Sequence, residues 1–265
     1  SFPTRRSSDL SMLLRLYQVL LYLIQPLIWL RLLLRSRKAP AYRKRWGERY
    51  GFCRGKVAPH GILLHSVSVG ETLAAVPLVR ALRHHYPDLP ITVTTMTPTG
   101  SERVRSAFGD DVYHVYLPYD LPGSVNRFLT TVDPKLVIIM ETELWPNLIS
   151  QLYRRKIPLI IANARLSERS AAGYQKLGSF VKTMLRKITL IAAQNQEDGE
   201  RFIALGLKRS HLHITGSLKF DISVTPELAA KAVALRRQWA AHRPVWIATS
   251  THEGEEAIVL DTHKK

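Results

Sequence analysis

Short apolar runs alternate with longer amphipathic segments between residues 62 and 215, and this alternation restricts the fold more than any other feature of the sequence. Compact runs rich in β-branched residues predict buried strands, whereas apolar residues spaced three or four apart predict helices. Strands separated by helices form βαβ units, which build a parallel sheet with helices on both faces. We therefore predict an α/β fold with a Rossmann-like parallel sheet within residues 39–220. The predicted strands are 62–67, 91–96, 112–117, 136–140, 158–162, 188–193 and 212–215, and the predicted helices are 71–84, 99–108, 144–155, 170–187 and 198–205.

The sequence before this region predicts a membrane-anchor helix at residues 12–38. Residues 16–30 contain no charged residue, and a basic flank comes directly after them. A run of this length approaches a bilayer span, so a spanning helix and a helix lying in the membrane surface both remain open, with a buried core helix as the alternative. The positive-inside rule places the basic flank and everything after it in the cytoplasm. Residues 1–11 are polar and share no pattern with the apolar segment, and we interpret them as a non-native leader that ends before Met12.

The distribution of charge favours contact with an anionic membrane surface. Residues 1–56 contain 13 Lys and Arg against two acids, whereas the other 209 residues contain 25 against 19. Most of the net charge of +17 therefore lies next to an apolar segment instead of spreading over the folded region, which disfavours a nucleic-acid partner. The single cysteine, Cys53, excludes an internal disulfide and fits a reducing compartment.

Residues 221–265 are interpreted as a linker followed by the start of a second Rossmann-like domain. Residues 226–239 predict a helix, residues 245–248 predict a strand, and residues 249–256 predict the opening of another helix. Backbone N–H groups at such a helix start can bind an anionic ligand. On this interpretation the second domain is truncated.

Ligands of parallel sheets bind beyond the carboxyl ends of the strands, and the residues after the first predicted strand carry candidate chemistry. Ser68, Gly70 and Glu71 lead from that strand into the next helix. The dipole of the helix is expected to keep the Glu71 carboxylate ionised and to lower its basicity. A glutamate that only complements the dipole fits the same spacing.

Two further strand ends carry polar groups. Glu141 and Glu143 follow strand 136–140, and we expect one of them to cap the next helix and the other to face a ligand or to pair with Arg165. Lys219 follows a glycine turn after the last strand, where it suits a phosphate or a carboxylate, although a solvated loop lysine is the alternative. The sequence has no Asp-x-Asp motif, no zinc-ligand spacing, no G-x-G-x-x-G and no Walker A loop, so we predict neither a metal nor a cofactor.

Taken together, these segments resemble bacterial transferases of 3-deoxy-D-manno-octulosonic acid (Kdo) that act in lipid A biosynthesis. The resemblance runs from about Met12 to the end of the sequence. It is carried by residues 65–71 (His-Ser-Val-Ser-Val-Gly-Glu), 141–146 (Glu-Thr-Glu-Leu-Trp-Pro), 216–221 (Gly-Ser-Leu-Lys-Phe-Asp) and 250–256 (Ser-Thr-His-Glu-Gly-Glu-Glu), with the arginine-rich segment 39–53.

The resemblance implies a two-domain GT-B glycosyltransferase at the bacterial inner membrane, with its catalytic domain on the cytoplasmic face. It implies an inverting, metal-independent transfer of Kdo from CMP-Kdo to a lipid A precursor (lipid IVA), with the acceptor on the first domain and CMP on the second. Glu71 would then act as the general base, and Glu141 and Lys219 would stabilise the transition state. The residues that would bind substrate are Ser68, Gly70, Arg165, Ser250, Thr251, His252 and Glu253.

Two other functions stay open at this point. The first is another GT-B enzyme, such as a nucleotide-sugar transferase or epimerase with a UDP donor, because a fold does not fix a function. The second is a membrane-bound protein that binds anionic lipids of the inner membrane and catalyses nothing.

Overall fold

The computed structural model describes residues 5–55, 57–221 and 224–264. The chain divides into two units, Ser1–Asp221 and Ile222–Lys265. The first helix already begins at Arg5, so most of the predicted leader continues into it, while residues 1–4 lie outside the described residues.

The first unit is built on a parallel sheet of seven strands in the order β3-β2-β1-β4-β5-β6-β7. All seven predicted strands are confirmed, with ends that differ from the prediction by at most two residues. They are β1 Ile62–His65, β2 Ile91–Thr95, β3 Tyr113–Tyr116, β4 Leu136–Met140, β5 Leu159–Ala164, β6 Leu190–Ala193 and β7 Leu212–Ile214.

Helices connect the strands, and two of them depart from the prediction. The predicted helix 170–187 is two helices, because the backbone of Gly178 takes a φ of +44° and leaves the right-handed helical region. The helix that follows β3 was not predicted, because Pro122 and Gly123 look like a turn, whereas proline is well suited to the first turn of a helix. The helices of this unit are α1 Arg5–Leu23, α2 Gln25–Lys38, α3 Val69–His85, α4 Pro98–Phe108, α5 Pro122–Val132, α6 Pro146–Arg154, α7 Glu168–Gln175, α8 Gly178–Leu185 and α9 Gln196–Ala204.

Alternate side chains of the strands enter two separate apolar cores. One core packs the sheet against α5, α6, α8 and α9, and the other packs it against α3 and α4. The second face is open over the middle strands, where Ile138, Ile160 and Ala162 line an apolar groove of about 530 Å³. Within the described residues of the first unit, the predicted cover of helices is therefore complete on one face of the sheet and partial on the other.

The two amino-terminal helices lie against the first unit and are held there by polar bonds. Tyr17 OH donates to Asp120 at 3.0 Å, and Gln18 Nε2 donates to Asn147 Oδ1 at 2.6 Å. The other side of the pair is apolar and exposed, as at Leu16, so α1 is not a buried core helix. No described helix is by itself long and apolar enough to cross a membrane, whereas Met12–Leu23 and Gln25–Lys38 meet that requirement only as a pair bent by 45°.

Part of the basic segment after α2 is built into the fold. Arg45 forms an ion pair with Glu48 at 2.7 Å, and Glu48 also accepts from the backbone N–H of Tyr116 on the edge strand β3 at 3.0 Å. Arg49 is only 2 % exposed and donates to the Met96 carbonyl at 3.1 Å. These cations stabilise the edge of the sheet and are not available to a membrane surface.

The second unit contains two helices, α10 Pro226–Ala240 and α11 Glu255–Lys264. Helix α10 is confirmed, but the predicted strand 245–248 is not formed. A strand is stable only when its backbone groups pair with a neighbouring strand, and the described residues of this unit contain none. The last helix begins at Glu255 rather than near residue 249.

Candidate active site

Glu71 lies where β1 leads into α3, and the backbone holds its carboxylate in place. Ser68 is the N-cap of α3, and its Oγ accepts a hydrogen bond from the Glu71 N–H at 3.2 Å. In turn, Glu71 Oε2 accepts from the backbone N–H of Val67 at 2.7 Å. This reciprocal arrangement is a variant of the capping box, which the pattern Ser-x-x-Glu forms at helix starts. Glu71 therefore has a fixed orientation at the carboxyl edge of the sheet.

Burial decides the acidity of Glu71. The residue is 8 % exposed, and this burial raises the pKa of its carboxyl above the ordinary value, while the charge of Glu141 raises it further. The hydrogen bonds from Val67 and Ser68 lower the pKa but do not cancel the effect of burial. The expectation that the helix dipole lowers the basicity of Glu71 is therefore wrong, because desolvation of the carboxylate outweighs it. The raised pKa makes the ionised carboxylate a stronger proton acceptor.

Glu141 follows β4, which pairs with β1, so both glutamates lie at the same edge of the sheet. Its φ of 58° is a left-handed conformation that non-glycine residues seldom adopt. The Glu141 N–H donates to the Ala162 carbonyl of β5 at 2.8 Å, and Thr142 Oγ1 donates to the Arg165 carbonyl. These bonds fix the turn after β4 to the end of the next strand. Backbone strain held in this way is frequent at functional sites.

Glu143 adds a third carboxylate, to which the family resemblance assigns no role. Burial raises the pKa of Glu143 to about 7, and the charges of Glu71 and Glu141 raise it as well. Burial raises the pKa of the Tyr174 hydroxyl of α7, and the charge of Glu143 raises it further. A proton held by Glu143 near neutral pH reduces repulsion among the three carboxylates. The Glu-Thr-Glu motif contained the signal, but the prediction reserved one of its acids for helix capping.

That capping prediction is wrong, because Asp120 takes the place of both glutamates. The N-cap of α6 is Trp145, which makes no side-chain cap bond. Instead, the Asp120 carboxylate accepts from the backbone N–H groups of Asn147 and Leu148, each at 2.8 Å. Asp120 is 3 % exposed, and its burial raises the pKa of the carboxyl to about 7. The start of α6 is thus fixed from outside, and Glu141 and Glu143 remain available at the sheet edge.

Lys219 lies in a short 3₁₀ turn after β7 and is exposed. Asn163 of β5 holds this turn, because its Oδ1 accepts from the Leu218 N–H at 3.0 Å. Asn163 is 2 % exposed, has a φ of 54°, and its Nδ2 has no hydrogen-bond partner among the described residues. This connection between the end of β5 and the lysine turn could not be predicted from the sequence, since it joins residues far apart in the chain.

The remaining predicted residues of the first unit lie at the same edge. Arg165 reaches the site through its backbone carbonyl, while its side chain is exposed and forms no ion pair with Glu141 or Glu143 among the described residues. The expected pairing is therefore not formed. Gly70 is exposed in the first turn of α3, and a Cβ there would meet nothing nearer than Ser68 Oγ at 3.9 Å. The start of α3 is consequently open to an approaching ligand.

The four predicted residues of the second unit precede a helix instead of opening it. Ser250 has a φ of 57°, Thr251 Oγ1 donates to Glu256 Oε1 at 2.6 Å, and the His252 N–H donates to Glu255 Oε2 at 2.9 Å. Glu253 is exposed. Since α11 begins at Glu255, the backbone N–H groups of residues 250–253 are not those of its first turn.

The sheet edge of the first unit thus combines an oriented, buried carboxylate with two acidic neighbours and a lysine turn fixed to β5. Such a site can accept a proton from a hydroxyl group and can stabilise charge that develops during a reaction. Within residues 5–55, 57–221 and 224–264, no group of three or more His, Cys, Asp and Glu has a geometry that could hold a metal ion.

The chain is similar to known proteins of one family. The family model described as 3-deoxy-D-manno-octulosonic-acid transferase (kdotransferase) matches residues 44–222. A 3-deoxy-D-manno-octulosonic acid transferase from Haemophilus influenzae is 53 % identical over 94 % of this chain and 58 % of its own length. A protein of the same name from Bordetella pertussis is 35 % identical over 92 % of this chain and 58 % of its own length. A probable, mitochondrial 3-deoxy-D-manno-octulosonic acid transferase from Arabidopsis thaliana is 35 % identical over 94 % of this chain and 57 % of its own length. The chain therefore spans a little over half the length of these relatives.

Solved structures are more distant. Anabaena HepE in complex with UDP and glucose gives a TM-score of 0.48 at 13 % identity, covering 77 % of this chain and 58 % of that one. The UDP-GlcNAc 2-epimerase from Neisseria meningitidis gives 0.46 at 13 % identity, covering 68 % and 51 %. Likenesses at this level are too weak to assign a function.

Proposed function

This chain belongs to the 3-deoxy-D-manno-octulosonic-acid transferase family, and from that premise we propose that it is the acceptor-side part of an inverting transferase that moves Kdo from CMP-Kdo to a lipid A precursor, lipid IVA. The observation that carries the proposal is Glu71, a buried carboxylate held by Val67 at the carboxyl edge of a parallel sheet. Ligands of such sheets bind at this edge.

Glu71 supplies the base in this proposal. A hydroxyl of the acceptor attacks the anomeric carbon of Kdo, the new carbon–oxygen bond forms, and the bond from that carbon to the phosphate of CMP breaks. CMP leaves with the bonding electron pair, and the proton of the hydroxyl passes to the Glu71 carboxylate. A base with a raised pKa is better matched to this step than a fully solvated carboxylate.

Glu141 and Lys219 stabilise the charges that arise during the transfer. The anomeric carbon gains positive character as its bond to the leaving group lengthens, which a fixed carboxylate such as Glu141 stabilises. The leaving phosphate gains negative charge, which the exposed ammonium of Lys219 can neutralise. On this proposal Ser68, Gly70 and Arg165 border the acceptor.

CMP is assigned to the carboxy-terminal region, with Ser250, Thr251, His252 and Glu253 as its contacts in this chain. The support for that assignment is the resemblance of residues 250–256 to the family. In addition, the curated relatives extend well beyond the length that this chain spans.

We propose that helices α1 and α2 attach the enzyme to the cytoplasmic face of the inner membrane, where its proposed lipid acceptor would reside. One side of the pair is bonded to the folded unit through Tyr17 and Gln18, and the opposite side exposes apolar residues such as Leu16 and Leu23. A helix with one polar, protein-bound side and one apolar side suits the plane of the membrane surface. This arrangement favours an interfacial position over a spanning one.

The test of the function is a transfer assay with a protein of the relatives' full length that contains this chain. The protein is given lipid IVA and freshly made CMP-Kdo, and separately a set of UDP-sugars. Transfer of Kdo with inversion at the anomeric carbon is the expected result. Transfer from a UDP-sugar instead, or binding of lipid with no transfer from any donor, would contradict the proposal in favour of the two alternatives left open by the sequence.

A further inference from the structure

A basic groove lies at the edge of the sheet opposite to the candidate active site. It is formed where α6 leads into β5 and α8 leads into β6, at the amino ends of these strands. The groove has a volume of about 600 Å³. Among the described residues, its lining includes four cationic side chains and no acid, and these four are Arg154, Lys156, Arg186 and Lys187.

The positive charge of this basic groove is not balanced by its surroundings. Arg154 ends α6, and Arg186 and Lys187 follow α8, so each helix presents the negative end of its dipole here. A helix end carries about −0.5 elementary charge, so two helices offset roughly one of the four cations. Lys187 donates to Ser150 Oγ at 2.8 Å, and burial together with Arg154 lowers the pKa of its ammonium. Crowded cations without counter-charges favour binding of an anion.

The basic groove shares the lining residue Lys187 with a smaller cavity next to α1. Lys187 also lines a smaller cavity of about 150 Å³, together with Leu14 of α1 and Met184 of α8. On the outward side of the same stretch of α1, Leu13 and Leu16 are 39 % and 63 % exposed. Cations beside exposed apolar side chains match the two parts of an anionic lipid, its phosphate and its acyl chains.

We propose that this groove binds the phosphate-bearing headgroup of an anionic phospholipid in the membrane surface that α1 and α2 contact. The inference depends on the proposed membrane position of these helices and is independent of Kdo transfer. With α1–α2 as one attachment and the basic groove as a second, the orientation of the first unit on the membrane is fixed.

The test measures partition of this chain onto vesicles by co-sedimentation, using phosphatidylcholine alone or mixed with phosphatidylglycerol. The variant Arg154→Gln/Arg186→Gln removes two groove cations. The control Arg80→Gln/Arg103→Gln removes two exposed cations from α3 and α4, on the other face of the sheet, and leaves the same net charge. Since a cation near an anionic surface contributes about 1 kcal/mol, the groove variant is expected to bind the mixed vesicles roughly 30-fold more weakly, with a much smaller loss for the control.

Equal losses in the two variants would overturn the proposal, as would equal binding of native protein to both kinds of vesicle. Inorganic phosphate at constant ionic strength serves as a competitor, and it is expected to weaken vesicle binding of the native protein more than that of the groove variant. Equal weakening of the two proteins would overturn the proposal. If the groove variant does not fold, Arg154→Gln/Lys156→Gln replaces it, because both side chains are exposed. Native chain that binds neither kind of vesicle would overturn the proposal together with the membrane position of α1 and α2.

Discussion

Replacing Asp120 by alanine is expected to lower the free energy of unfolding by about 2–4 kcal/mol, mainly through its effect on the start of α6. The carboxylate accepts from two backbone N–H groups, those of Asn147 and Leu148, and from Tyr17 OH. Asn147 and Leu148 are 3 % and 2 % exposed, so water cannot replace the lost acceptor. Each buried donor left unsatisfied costs about 1–3 kcal/mol, and relief from burying a carboxylate offsets part of the sum.

Urea unfolding followed by circular dichroism measures this loss. Asp110→Ala is the matched control, because Asp110 is an exposed acid outside the sheet edge, and it is expected to change stability by less than about 0.5 kcal/mol. Tyr17→Phe is expected to cost about 1 kcal/mol alone and almost nothing in the Asp120→Ala background, since both variants remove the same bond. A loss at Asp120 no larger than at Asp110, or full additivity with Tyr17→Phe, would refute the assignment of Asp120 as the cap of α6 and the attachment point of α1.

Three further predictions concern other parts of the first unit. Burial raises the pKa of Asp120 to about 7, so the native state binds this proton more tightly than the unfolded state does. The difference in unfolding free energy between native protein and Asp120→Asn is therefore expected to shrink as pH rises from about 4 to about 7. A difference that stays flat or grows over this pH range would contradict the raised pKa. Gly51→Ala is expected to lower the free energy of unfolding by more than about 2 kcal/mol, because φ at Gly51 is +82° and a Cβ there would overlap a backbone carbonyl of α5. Gly55→Ala is expected to cost only about 1 kcal/mol, because φ is similar at +78° but the space around Gly55 is open. Equal melting temperatures for the two variants would show that the overlap at Gly51 is relieved. Asn163→Ala is expected to accelerate hydrogen exchange of the Leu218 amide by about tenfold, because the acceptor of its hydrogen bond is lost. Asn163→Asp keeps an acceptor oxygen, and its exchange rate at Leu218 is expected to stay within a few fold of the native rate. Unchanged exchange in Asn163→Ala would show that Asn163 does not hold the lysine turn.

The sheet could be predicted from sequence because its strands are buried on both faces. Their β-branched runs stand out against amphipathic neighbours, and the central strand β4, with the sequence Leu-Val-Ile-Ile-Met, is found with its ends unchanged. Helix α5 was missed because a proline and a glycine at its start suggest a turn when only local sequence is considered. The strand predicted at 245–248 shows the reverse error, since an apolar run does not form a strand without a neighbour to pair with.

The candidate site was predicted in part for the same reason. A parallel sheet brings the carboxyl ends of its strands to one edge, so Glu71 and Glu141 could be placed together before the structure was known. The roles of Asp120 and Asn163 could not, because each acts through hydrogen bonds to residues more than 25 positions away in the chain. The acidity of Glu71 was predicted with the wrong sign, since the helix dipole is visible in sequence and the extent of burial is not.

The rate of Kdo transfer by Glu71→Gln tests the central claim most directly, in a protein of the relatives' full length. Glutamine keeps an oxygen that can accept the Val67 N–H bond, so the fold of the site is retained while the proton acceptor is lost. Glu168→Gln is the matched control, because the Glu168 side chain is 89 % exposed on α7. With Glu71 as the base, kcat is expected to fall about 10²–10⁴-fold in Glu71→Gln with little change in KM. The transfer rate of the native protein is expected to fall as pH is lowered, with a pKa above that of an ordinary glutamate, because burial raises the pKa of Glu71. A Glu71→Gln rate within a few fold of the Glu168→Gln rate would contradict the account.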